Sequence, residues 1–147
     1  MQWVTRARPK TDRIACPWLI RRFIDPEAEI VYVSASDVLG TAIRGGGYSF
    51  DAPGATFTHD GHKCTFEVLI DRYHLDVNPA LVRLARIVHA ADIDSDLHTD
   101  AAGPGLLAIG IGGLDVEPDD DRLLARGSFV YDALYAWCAQ QVGATPS

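Results

Sequence analysis

Two short runs rich in β-branched and aromatic residues, Trp3-Val4-Thr5 and Ile30-Val31-Tyr32-Val33, read as strands. Between them an apolar segment opens at Cys16-Pro17 and closes near Asp25-Pro26. Proline suits the first helical position, where its missing N–H would have no partner anyway, so the spacing predicts a helix over 17–24. A strand–helix–strand unit follows. Residues 37–44 read as a short helix stopped by Gly45-Gly46-Gly47, with further strands expected over 48–51 and 56–59.

The period then changes from two to 3.6. Over 65–74, Phe66, Leu69, Ile70 and Tyr73 share one face. Asn78-Pro79 is a cap followed by a first-turn proline, and Leu81, Leu84, Ala85 and Val88 continue as an apolar stripe. The glycine-broken apolar segment 106–114 is expected as a buried helix. Asp119-Asp120-Asp121 is placed where acids favour a helix N-terminus. A last helix over 128–141 is expected to bury Val130, Leu134, Trp137 and Cys138. The fold class is therefore α+β, with a small β-sheet in the N-terminal half and a predominantly helical C-terminal half. One domain is expected over 1–142, with a frayed tail at 143–147.

Composition narrows the function. The chain has 147 residues, 48% apolar and 22% charged, which is globular. No run approaches the ~18 apolar residues of a membrane span. Thirteen basic against twenty acidic residues give a net charge of −7, so a nucleic-acid partner is not expected. The basic residues nevertheless gather early: Arg6, Arg8, Lys10, Arg13, Arg21 and Arg22 face one acid, Asp12. The basic start MQWVTRARPK has no apolar stretch behind it, and the cysteines are odd in number, so a reduced, cytoplasmic location is expected.

Three groups of residues are candidates for chemistry. On the helix after Asn78, Asp92 falls about 20° from Leu81, in the middle of the apolar face, and His89 lies one turn back. A carboxylate there is costly unless paired or bound to a metal; an ion pair or a helix-end cap is the bland alternative. The segment from His59 to Glu67 packs two histidines, Cys64 and two acids into a turn entering a helix, with a polar surface turn as its plain reading. The third group is Arg13, Arg21 and Cys16. A thiol ahead of a helix start and two guanidinium groups suit a small oxyanion, unless they simply form structural ion pairs. No nucleophile elbow, phosphate loop or zinc-protease helix is present.

The opening Trp3-Val4-Thr5-Arg6 with Arg8-Pro9-Lys10, and the long run from Asp12 to Pro26, resemble the C-terminal domain of the chromate resistance protein ChrB. The likeness continues through Phe50-Asp51, Pro53-Gly54, His59, Cys64 with Phe66, 84–92 and 131–138. The resemblance implies a role in chromate or related oxidative-metal stress. Two readings stand. In the first, His59, Glu67, His89, Asp92 and Cys64 form one site for a divalent transition metal (zinc, iron or manganese), with scope for redox chemistry. In the second, Arg13, Arg21 and Cys16 make a non-enzymatic sensor or binding module for chromate or sulfate.

Overall fold

The computed structural model describes residues 1–143. Of the tail expected at 143–147, all but Gly143 lies outside the described residues. A central strand β1 (Gln2–Arg6) is flanked by β2 (Glu29–Val33) and β3 (Tyr48–Ser49), both parallel to it. Trp3 pairs with Ile30 on one side and Tyr48 on the other. Alternation sends Trp3 into the main core, against Tyr48 and Phe57, and sends Val4 into a second small cluster with Val38, Ala42 and Ala52. The strand is thus covered on both faces, as a parallel sheet requires; the helix α2 (Val38–Gly45) covers the Val4 face.

The third strand is shorter than expected because Asp51 adopts a left-handed conformation (φ 48°) and turns the chain. The fourth is reduced to one bridge between Phe57 and Phe50.

Helix α1 (Asp12–Leu19) begins at Asp12, not at Pro17, and runs on into a π-helical turn, Ile20–Ile24. Pro17 therefore lies inside it. Without an N–H, Pro17 leaves the Arg13 carbonyl with no helical partner. The Tyr32 hydroxyl on β2 donates to that carbonyl at 2.6 Å and replaces the missing bond. Cys16 is consequently mid-helix and buried, not at a helix start.

Helix α3 (Thr65–Arg72) starts where Cys64 and Glu67 form a capping box. Helix α4 (Pro79–Asp92) starts as its sequence predicts, the Asn78 side chain accepting from the Leu81 N–H at 3.1 Å. Helix α5 (Gly103–Val116) departs from expectation. Gly103 packs so closely on α4 that an added Cβ would meet that of Ala90 at 2.7 Å, and Leu106 is buried, but Ile109 and Ile111 stay 55% and 50% exposed. Neighbouring helices cover one side of α5 only. Helix α6 (Asp120–Gln141) joins the acidic start and the apolar stretch into one element, with Asp119 accepting from the Arg122 N–H. Trp137, expected in the core, remains 39% exposed beneath the Arg83 guanidinium.

The Tyr32–Arg13 bond yields a direct test. Tyr32→Phe leaves a carbonyl unpaired and is expected to cost about 1–3 kcal/mol in denaturant unfolding. In a Pro17→Ala background the restored N–H takes over, so the same substitution is expected to cost less. Equal costs in both backgrounds would contradict the assignment.

Candidate functional site

Asp12, at the first position of α1, is fully buried. Its Oδ2 accepts the Thr65 N–H at 2.9 Å and its Oδ1 accepts the Phe66 N–H at 3.3 Å. The carboxylate therefore sits on the N-terminus of α3, where free amides and the helix dipole favour an anion. The Cys16 thiol, one turn along, lies 3.7 Å from Oδ1 as a weak donor.

Three further groups converge on Asp12. The left-handed turn after β3 brings in Asp51, which accepts from the Thr65 hydroxyl at 2.9 Å and pairs with Arg6 and Arg13. The last residue of α4 supplies Asp92. The loop before α3 supplies His59. Its Nε2 lies 3.6 Å from Asp12 Oδ2, 3.3 Å from Asp51 Oδ1 and 3.2 Å from Asp92 Oδ2. Three carboxylates thus surround one ring nitrogen, while the outer side of His59 is half exposed. Ligand atoms of Asp12, His59 and Asp92 all lie within 4.8 Å of one another.

The electrostatics follow from crowding. Burial, and then the Asp12 and Asp51 charges, push the Asp92 carboxyl up to about 7. Its position at a helix C-terminus adds to that cost. Burial, joined by the Asp51 charge, raises Asp12 despite its pairing with His59. For Asp51, burial works upward, but the bonds from His59 and Thr65 and the Arg6 charge outweigh it, and the net shift is downward. Pairing with Asp12 and Asp51 lifts the His59 imidazole to about 10. One carboxylate oxygen is held only by its ion pair with His59: Asp92 Oδ2 is buried and makes no hydrogen bond among the described residues.

Glu67, His89 and Cys64 form a second group. Glu67 Oε1 accepts the Cys64 N–H at 3.0 Å and lies 2.5 Å from His89 Nδ1. His89 Nε2 lies 2.6 Å from Asp96 Oδ2. Burial of His89 works downward, but the two carboxylates outweigh it and raise its pKa. The Cys64 thiol is buried and pushed up by desolvation. The first turn of α3 separates the two groups: Thr65 and Phe66 face Asp12, while Cys64 and Glu67 face His89.

The five residues expected at one metal site are therefore divided. His59 and Asp92 meet; Glu67, His89 and Cys64 meet beside them. The residues expected at an oxyanion site are engaged elsewhere. Arg13 donates to the Arg6 and Ala7 carbonyls, and Arg21 donates to the Ala28 carbonyl. Cys16 is enclosed, because α1 starts before it. Burial, then the Asp12 charge, hold its thiol far above the ordinary range.

The second group predicts a pH effect. A histidine whose folded pKa is raised stabilises the fold fully below its unfolded value of 6.5, and loses that contribution as pH rises through the folded value. The stability difference between wild type and His89→Gln is therefore expected to shrink between neutral and alkaline pH. A difference constant over that range in urea unfolding would contradict the double pairing of His89.

The family model "ChrB, C-terminal domain" matches residues 3–138. Protein ChrB of Cupriavidus metallidurans is 40% identical over 134 residues, covering 91% of this chain. The chain spans 40% of that relative's length. No solved structure matches. Matched from β1 to the last turns of α6, the chain belongs to the ChrB C-terminal domain family.

Proposed function

We propose that this domain is a metal-binding stress protein of the chromate-resistance type, with Asp12, His59 and Asp92 holding one divalent transition metal and Asp51 completing the donor set. One observation carries the reading: ligand atoms of Asp12, His59 and Asp92 lie within 4.8 Å of one another, and the buried Asp92 Oδ2 makes no hydrogen bond among the described residues, its one near partner being His59 Nε2 at 3.2 Å. A buried carboxylate oxygen held by one imidazole and by no hydrogen bond keeps lone pairs free for a cation. The spacing supports it as well. Donors bound at about 2.0–2.1 Å with tetrahedral angles lie roughly 3.3 Å apart, and His59 Nε2 lies 3.2–3.6 Å from its three carboxylate neighbours. Oxygen donors with one imidazole suit manganese, iron or zinc.

When bound, such an ion supplies Lewis-acid or redox chemistry. The chain's own residues do the rest. The Thr65 and Phe66 amides fix Asp12, and the Thr65 hydroxyl with Arg6 and Arg13 fixes Asp51. The exposed side of His59 marks the approach from solvent, and Arg6, itself part exposed there, favours an anionic reactant. The sensor alternative has less support, since Arg13, Arg21 and Cys16 each serve a different partner.

Asp92→Asn tests this reading. In metal-free protein it removes a repelled charge, so its unfolding free energy is expected to equal or exceed that of wild type. A saturating ion at 100 times its Kd stabilises a fold by about 2.7 kcal/mol. That gain, read as a melting shift with manganese, zinc or ferrous iron, is expected in wild type and lost in the variant. An equal gain in both proteins would contradict the assignment.

A further inference from the structure

Between α5 and α6 lies a cavity of about 390 Å³ that none of the interactions above uses. Its size is that of a small-molecule site. Ile14, Leu106, Leu123, Val130 and Tyr131 line it with apolar surface, and the half-exposed Ile109 and Val116 form its rim. Glycine makes the room. Gly112 borders the cavity, and a Cβ built on it meets nothing within 4 Å.

The polar features of the lining are few. Thr11 is 2% exposed and borders the cavity, and its buried Oγ1, beside Gly110 of the lining, has no hydrogen-bond partner among the described residues. Lys10 also lines it, and its side chain makes no hydrogen bond or ion pair among the described residues, although its charge reaches Asp92. Arg126 at the other side is paired with Glu117, so the cavity carries a net positive charge within an acidic protein. An apolar wall with one unsatisfied hydroxyl and one cation outside any ion pair describes a ligand with an apolar body and an anionic head.

We propose that this cavity binds a small organic anion with an apolar body, its anionic head received by Thr11 Oγ1 and Lys10 and its body by the faces of α5 and α6. The site is formed by the polypeptide alone and does not depend on a bound metal.

The probes are sodium octanoate and octan-1-ol, titrated into the full chain in excess chelator and followed by amide chemical shifts. Octanoate is expected to bind saturably at one site, at least fivefold more tightly than the alcohol, shifting the Gly110, Gly112, Gly113 and Gly127 resonances. Gly112→Leu, which fills the cavity, is expected to weaken both probes at least tenfold with melting unchanged or raised. Lys10→Gln is expected to keep the alcohol and lose the preference for the anion. Unchanged binding to Gly112→Leu, or shifts confined to other surfaces, would overturn the proposal. So would a doubling of mass with protein concentration that moves the same glycines without probe, which would assign the groove to a second copy. Any of these would leave the metal reading standing.

Discussion

The rest of the site depends on where the Asp12 carboxylate rests. A buried anion is costly, and here two amides at the N-terminus of α3 offset that cost. The same contact joins α1 to α3 across more than fifty residues of sequence. It also settles which way the group faces, since Oδ2 is left beside His59. From there the structure accumulates negative charge instead of dispersing it. Asp51 and Asp92 approach the same ring nitrogen from β3 and α4. One imidazolium and two arginines beside Asp51 do not hydrogen-bond all the oxygens, and Asp92 carries the remainder.

That imbalance is where stability and function oppose each other. A fold selected for stability alone has no use for a carboxylate at a helix C-terminus beside two others. The surrounding packing accepts the strain because α4 is otherwise well buried, with Leu81, Leu84, Ile87 and Val88 in the core. By contrast, the Glu67–His89–Asp96 chain satisfies its charges internally and reads as a brace that fixes the start of α3 to α4.

Parts of this were legible from sequence. The helical period placed Asp92 on the apolar face of α4, and the Asn78-Pro79 start fixed the phase that made the placement meaningful. The same argument fails for Asp12 only because a proline at 17 signals a helix start there. With α1 begun at Asp12, the carboxylate shares a face with Ala15, Cys16 and Leu19 and becomes as conspicuous as Asp92. The reason Pro17 is tolerated inside the helix is a hydroxyl on another strand, which no local pattern shows. Asp51 carries no periodic signal at all, since a left-handed turn positions it. Helix α5 is apolar all round as far as Leu114, so its sequence does not say which face stays uncovered. The division of the expected ligand set in two follows from the first turn of α3, whose amides point at Asp12 on one side while Glu67 turns back toward His89 on the other.

Anomalous diffraction from crystals equilibrated with zinc tests the central claim most directly. The account expects one strong peak about 2.0–2.2 Å from His59 Nε2 and from carboxylate oxygens of Asp12 and Asp92. A peak held instead by Cys64, Glu67 and His89, or no ordered peak at either group in crystals that diffract well, would contradict it.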